Sequence, residues 1–358
     1  MLGLRQRLGT LALVVVSVVA GLLALELGLR AANGYLGDWS NFVLDARSVL
    51  SKTEGQRFQY DELLGFVPRG PEPGGGLRPN GSDTPAGTLI LAVGDSYTYG
   101  EEVADDETWP ALLQQRTGQP VLNGGVSGYG FDQTVLRAEM LATRYRPGTI
   151  VVSFIADDIL RTEMSRIWGA EKPYFDLAGE NIAKDAPKAA LVLRNVPVPP
   201  RAKPASTLSL AQRLLGYSFL FDFVLRRLDL LHDWYGDHVR VHPAGTGEQI
   251  ACRLTDRLAE LKRLSGARLL VLAEYDPVVW DEPHLAPEQR RLTEGLLACA
   301  RQRGLATLDS YDALAASKLA PSAVAKGPRG FYKLWHMNRA GNELIARLVA
   351  KALETDGK

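Results

Sequence analysis

The chain has 358 residues, of which 46% are apolar and 23% charged, the balance of a globular protein with a full core. This excludes a wholly disordered chain, collagen and a small disulfide scaffold. Lys and Arg number 41 and Asp and Glu number 41, so the chain is formally neutral and lacks the broad basic field of a non-specific nucleic-acid binder. Its two cysteines, Cys252 and Cys299, do not make a zinc-finger spacing.

In chain order, the first distinct segment is the N-terminus. Arg5 and Arg7 precede an uncharged run from Leu8 to Leu25, which Glu26 interrupts. At about 1.5 Å per helical residue this run reaches roughly 27 Å, close to the roughly 30 Å hydrocarbon core of a bilayer. A cleaved signal peptide would have a shorter apolar core and a small-residue cleavage site. Val19-Ala20-Gly21 lies inside the run, and Arg30-Ala31-Ala32 is a poor site. A buried soluble helix fits less well, because the segment is apolar on all faces. The reading is an uncleaved anchor over residues 1–30. Its arginines stay cytoplasmic and the rest of the chain lies on the periplasmic or extracellular side. There Cys252 and Cys299, both on predicted helices, can pair.

Residues 31–87 read as a connecting region, and Val67-Pro68-Arg69-Gly70-Pro71-Glu72-Pro73 and its glycines can continue neither helix nor strand. From residue 88 the pattern alternates. Leu89–Val93 is a short apolar strand and Glu107–Arg116 a helix. Val121-Leu122 is a strand, Gln133–Tyr145 a helix and Thr149–Ile155 a strand. Gly247–Leu264 is a helix and Ala267–Ala273 a strand. Glu288–Arg303 is a helix, Leu305–Leu308 the fifth strand and Asn338–Leu353 the last helix. Such alternation implies one parallel sheet with helices on both faces. The alternation stops over about 161–246. This insertion holds a rigid Val196–Pro200 linker and a predicted aromatic-rich helix over Leu208–Tyr235. Ala211, Leu214, Leu215, Phe219, Phe223 and Leu230 would form one stripe that packs on the main domain, covers the active site, or touches a membrane or partner.

The first strand runs into Gly94-Asp95-Ser96-Tyr97-Thr98-Tyr99-Gly100. A serine at the carboxyl end of a central parallel strand sits where open α/β sheets place ligands. Ser96 there is either a nucleophile or merely a helix cap. The surroundings are not a Gly-x-Ser-x-Gly elbow.

These residues, with Asn123-Gly124-Gly125-Val126-Ser127-Gly128 after the second strand and His336-Met337-Asn338-Arg339-Ala340-Gly341 before the last helix, resemble the blocks of the SGNH (GDSL-type) hydrolases. The resemblance covers about residues 88–355 outside the insertion, and it extends to the membrane-anchored, envelope-facing subset. It implies a flavodoxin-like three-layer α/β/α sandwich with a five-stranded parallel sheet. It implies Ser96 as nucleophile, His336 as general base and acid, and the N–H groups of Ser96 and Gly125 as oxyanion donors. It implies no metal and no organic cofactor.

Two positions depart from that pattern. Asp157, in Phe154-Ile155-Ala156-Asp157-Asp158-Ile159, stands where the family has an asparagine as third oxyanion donor. A carboxyl there donates only when protonated, and burial or a like charge such as Asp158 would favour that form. The family's aspartate shortly before the histidine is replaced by Lys333 and Leu334. Asp276, Asp281, Asp309 and Asp312, or a backbone carbonyl, are the candidates to orient His336.

The remaining histidines carry less. His238 and His242 alternate with period two and read as surface or insertion residues. Trp109 and Trp335 read as core or pocket rim, and Arg161 as a salt bridge at the rim. The expected function is a membrane-anchored serine esterase whose acyl-ester substrate is an O-acylated envelope glycan, with an acetyl group favoured. Transfer of the acyl group to a glycan hydroxyl uses the same site. The rival is a catalytically degenerate scaffold that binds or assembles. A nucleic-acid or nucleotide enzyme is poorly supported, since the sequence shows no phosphate-cradling loop with its lysine and no basic stripe.

Overall fold

The computed structural model describes residues 2–45, 57–71, 74–81, 85–177, 191–194, 208–228, 230–316 and 327–355. The chain divides into two compact units, one of residues 1–53 with 201–239, the other of residues 54–200 with 240–358.

The larger unit is built on five parallel strands. They are β1 (Ile90–Val93), β2 (Val121–Asn123), β3 (Thr149–Phe154), β4 (Arg268–Ala273) and β5 (Ala306–Asp309), in the spatial order β5-β4-β3-β1-β2. β1 and β3 are buried along their whole length, as their mostly apolar sequences require, and the two polar residues of β3, Thr149 and Ser153, are buried with them. They pair from Ile90 opposite Thr149 to Val93 opposite Val152. The chain moves one way from β1 to β2 and the other way from β2 through β5. Right-handed crossovers therefore place the helices on opposite faces. Trp109–Thr117 packs with Arg339–Thr355, while Thr246–Ser265 packs with both Phe131–Tyr145 and Ala286–Gln302. Cys252 and Cys299 form a disulfide across Thr246–Ser265 and Ala286–Gln302, with 5.4 Å between their Cα atoms.

Two stretches outside the predicted strand–helix alternation contribute to this unit. Phe58–Asp61 and Gly65–Pro68 form an antiparallel hairpin. Residues 162–177 begin the insertion, and Lys172 there is fully buried. Its ammonium lies 2.6 Å from Asp132 and donates to the carbonyls of Arg161, Met164 and Pro173. The linker Val196–Pro200 lies outside the described residues.

The smaller unit joins the N-terminal helix, Leu2–Ala32, to residues 201–239 of the insertion. Arg7–Ala32 is long and apolar enough to cross a membrane. The single helix expected over Leu208–Tyr235 is instead three: Leu210–Leu215, Phe219–Arg227 and Leu231–Tyr235. The break at Gly216-Tyr217-Ser218 has a local cause and a tertiary one. The Ser218 hydroxyl accepts from Phe221 N–H. The Glu26 carboxylate accepts from the Ser218 hydroxyl and from the N–H groups of Phe219 and Leu220. The apolar stripe is accordingly not continuous: Phe219 and Leu225 are buried, whereas Leu214, Leu215 and Leu230 are exposed. His238 faces Asp237 across 3.2 Å, and His242 lies 3.0 Å from the Phe175 carbonyl.

Candidate active site

The strand order reverses between β1 and β3, so the ligand crevice of an open α/β sheet opens at their carboxyl ends. Ser96 lies there, as the first residue of the short helix Ser96–Tyr99, and is buried. Asp95 caps this helix by accepting from Tyr97 N–H at 2.9 Å. The serine hydroxyl is 2.9 Å from Nε2 of His336.

His336 reaches that position from a turn just before the last helix. The carbonyl of His336 accepts from Lys333 N–H at 2.9 Å, and Phe331 O accepts from Asn338 N–H at 2.8 Å. Asn342, in the first turn of Arg339–Thr355, accepts from Trp109 N–H at 2.8 Å and donates to Met337 O at 3.1 Å. Tyr97 adds a second hold: its hydroxyl donates to Trp335 O at 2.8 Å, and its ring lies 5.2 Å from the imidazole.

The acid beside this histidine is Glu102. Its Oε1 is 3.6 Å from Nδ1 of His336, and Nδ1 is buried with no hydrogen-bond partner closer. Its carboxylate accepts from Leu334 N–H at 3.0 Å and also faces the N–H groups of Trp335 and His336. Burial works to raise its pKa, but these N–H groups and the adjacent His336 outweigh it and hold Glu102 below its ordinary value. Glu102 sits at φ 68, a left-handed conformation that costs a non-glycine residue energy and turns its side chain toward the histidine loop. Arg78 supports this loop by donating to the carbonyls of Tyr99, Gly100 and Val103. Neither residue was singled out from the sequence. The only sequence signal was the acidic pair Glu101-Glu102 just after the nucleophile helix, and Arg78 lies in the stretch read as a connector.

None of the four aspartates expected as candidates makes an ion pair or hydrogen bond to His336 among the described residues, where Glu102 stands instead. Asp281 pairs with Arg329 at 3.1 Å. Asp309 accepts from Tyr311 N–H at 2.9 Å. Asp312 makes no ion pair or side-chain hydrogen bond to His336 among the described residues. Asp276 comes closest in effect. Burial lifts its pKa to about 6, Val278 N–H opposes this, and Asp157 and His336 act on it from the crevice.

The expected oxyanion donors have distinct surroundings. The Ser96 N–H occupies a first helical position, which a helix leaves without an internal partner. Gly125 presses against the nucleophile helix, and a Cβ there would lie 2.2 Å from Tyr99 N. Its N–H donates to Asn123 Oδ1 at 3.1 Å, while Asn123 donates to Tyr99 O at 3.3 Å. Asp157 lies in the first turn of the helix Ala156–Arg161, with Gln289 Nε2 3.5 Å from its carboxylate. Asp158, its neighbour, is fully buried and accepts from Ile155 N–H at 3.0 Å. It pairs with Arg161 at 2.6 Å, and Arg161 also lies 3.6 Å from Asp95. Burial raises the pKa of Asp158 strongly, Asp95 adds to this, and Arg161 opposes it. Arg161 thus makes the expected salt bridge, but with a mostly buried side chain paired to Asp158 and close to Asp95 instead of at the rim. Trp109 is fully buried and Trp335 is exposed beside His336, the core and rim positions expected of them.

The model of the GDSL-like lipase/acylhydrolase family matches residues 92–344, a stretch that contains Ser96, Asn123, Asp157 and His336. Among solved structures, that of TesA is similar with 16% identity, covering 75% of this chain and 98% of that one at a TM-score of 0.38. An acetyl xylan esterase from Geobacillus stearothermophilus is similar with 12% identity, covering 75% of this chain and 95% of that one at a TM-score of 0.39. The psychrotrophic esterase EstA from Pseudoalteromonas sp. is similar with 12% identity, covering 75% of this chain and 98% of that one at a TM-score of 0.39. No curated protein matches. With a five-stranded parallel sheet and a family match over most of its length, the chain belongs to the GDSL-like lipase/acylhydrolase family, with the SGNH fold, and is an ester-hydrolysing enzyme.

Proposed function

We propose that the protein removes an acyl group, most simply acetyl, from an ester on an envelope glycan, through an acyl intermediate on Ser96. The observation that carries the reading is the 2.9 Å contact between Ser96 Oγ and His336 Nε2, with Glu102 behind Nδ1. Nε2 must accept, so the ring proton sits on Nδ1 and faces the Glu102 carboxylate. The Ser96 oxygen attacks the ester carbonyl as Nε2 takes its proton. The tetrahedral oxyanion draws on Ser96 N–H and on Gly125 N–H, which turns from or shares with Asn123. Collapse expels the alkoxide, which takes the proton from Nε2. Water then attacks the acyl-Ser96 carbonyl, giving its proton to Nε2. Collapse of this second intermediate returns that proton to Ser96 Oγ and releases the acid. Asp157 fits this scheme as a donor only in its protonated form, so it is proposed as the weakest of the three.

Location supports the choice of substrate. The N-terminal helix is long and apolar enough to span a membrane. The arginines before its apolar run favour the cytoplasm, and the Cys252–Cys299 disulfide suits an oxidising compartment outside it. An exposed Trp335 next to His336 offers a flat apolar face on which a sugar ring can rest.

The test is covalent labelling of the full chain in detergent with a fluorophosphonate, followed by peptide mapping. It is paired with hydrolysis of p-nitrophenyl acetate, butyrate and octanoate. The expected adduct is on Ser96 and depends on His336, and Ser96→Ala lowers esterase turnover by roughly 10⁴- to 10⁶-fold. Acetate is the expected best substrate. A folded chain that takes no adduct would instead favour the degenerate binding scaffold. Acyl transfer to an added glycan faster than hydrolysis would favour the transferase.

A further inference from the structure

The smaller unit exposes apolar side chains that its own core does not use. That core is Val43, Leu208, Leu225, Leu231 and Tyr235, with Phe42, Phe221 and Trp234 packed on it. Outside it, the helix Leu210–Leu215 buries no residue, and its Leu214 is 66% exposed. Leu228 is 60% exposed and Trp39 56%, and Tyr217 is exposed between the first two insertion helices. So many large apolar side chains exposed on two short helices and an adjoining turn are uncommon on a protein that meets only water.

The position of these residues along the N-terminal helix says what they meet. Glu26 follows directly on the apolar run and holds Ser218, Phe219 and Leu220. One helical turn later, Arg30 is fully buried. It pairs with Glu26 at 2.6 Å and donates to Tyr217 O at 2.5 Å, and Trp39 lies over its guanidinium at 4.2 Å. Residues 217–220 are therefore tied to the last turns of the helix, within about 6 Å of one another along its axis at 1.5 Å per residue. When Leu8–Leu25 fills the hydrocarbon core, these ties lie at the bilayer edge. The Glu26 and Arg30 charges are both paired and hydrogen-bonded, as groups in that low-dielectric zone must be. Trp and Tyr are the residues that settle at this level, and leucines beside arginines such as Arg213 and Arg227 suit its apolar and anionic parts.

We propose that the insertion helices Leu210–Leu215 and Phe219–Arg227, with the Trp39 turn, form a second membrane-contacting surface. It lies flat in the interface of the bilayer that the N-terminal helix crosses. Leu210, Leu214, Tyr217 and Leu228 enter the headgroup and upper acyl region, and Glu26 and Arg30 clamp the surface to the anchor. The insertion is thereby a membrane collar of the anchor. This inference rests on the N-terminal helix being a membrane span.

The test uses the full chain reconstituted in vesicles of phosphatidylethanolamine and phosphatidylglycerol. Its two cysteines are paired, so a nitroxide label attaches only to an added thiol. Labels are placed by Leu214→Cys, Leu228→Cys, Val15→Cys in the span and Leu264→Cys, an exposed leucine of the larger unit. Collisional access to oxygen and to a polar nickel chelate is read at each site. Oxygen is expected to be favoured over nickel several-fold more at 214 and 228 than at 264, as at 15. If 214 and 228 match 264 while 15 stays in lipid, the surface faces water and the proposal fails with the span intact. If both sites are shielded from both reagents, a protein covers them and the proposal fails. If 15 is itself open to nickel, the span fails and the collar with it. Hydrolysis of p-nitrophenyl acetate by each labelled protein shows separately whether the esterase site is intact.

Discussion

Glu102 approaches His336 from the loop after the nucleophile helix, whereas the family pattern places this acid just before the histidine. The hydrogen bonds from Leu334 and its neighbours make Glu102 both a charge beside Nδ1 and a clamp on the histidine turn. Glu102→Gln keeps the shape and removes the charge. It is expected to lower kcat/KM by roughly 10- to 100-fold, less than the roughly 10⁴ seen for a fully buried triad acid. The clamp also has a pH signature. The carboxyl is held below its ordinary value of 4.5, so it stabilises the fold above that value and this is lost as pH falls through the depressed one. Melting curves of the wild type and Glu102→Gln should thus differ at neutral pH and converge below 4.5. Glu274 behaves oppositely. Fully buried after β4, it accepts from the Ser153 hydroxyl, and burial lifts its pKa from 4.5 to about 8. The folded state holds its proton more tightly than the unfolded chain, so stability falls as pH rises from 4.5 to about 8. Glu274→Gln should therefore melt several degrees above the wild type at pH 8 and close to it at pH 4. Equal melting temperatures at pH 8 would show that the carboxyl is not held neutral.

Between elements, one buried pair joins the insertion to the sheet domain. Lys172 and Asp132 are both fully buried, and Asp132 opens the helix Phe131–Tyr145. Lys172→Met leaves a buried carboxylate unpaired and is expected to cost about 3–5 kcal/mol in chemical denaturation. Adding Asp132→Asn should restore most of that loss; a double variant no better than the single would place the cost in packing. The Leu208–Tyr235 segment shows why the sequence read one helix. Its apolar spacing runs through Gly216 and Ser218, and neither residue alone forbids a helix. What sets the break, beside the Ser218 cap, is Glu26, almost two hundred residues earlier, whose carboxylate takes the N–H groups that a continuous helix would bond internally.

For the whole molecule, the disulfide closes a loop of 47 residues across two helices that cover the sheet. Replacing Cys252 and Cys299 by serine should cost about 2–4 kcal/mol and lower the melting temperature, as should reductant on the wild type. A melting temperature indifferent to reductant would argue against the bond.

Much of this molecule was legible in its sequence. Short, largely apolar and β-branched runs such as Leu89–Val93 and Thr149–Phe154, bounded by glycine and alternating with helical segments, read as buried parallel strands, so the sheet and its helices followed from local pattern. Ser96, Asn123, Gly125 and His336 stood in motifs whose resemblance to the SGNH blocks implied the fold and the site. Local pattern fell short wherever a residue's task depends on a partner distant in the chain. Glu102 beside His336, Arg78 under the loop that carries Glu102, Lys172 against Asp132 and Glu26 capping Phe219–Arg227 are all such cases. A lone charged residue has the same local signature on a solvated surface as inside a site. Only the tertiary structure decides between them, because burial and the opposing partner give the charge its energy.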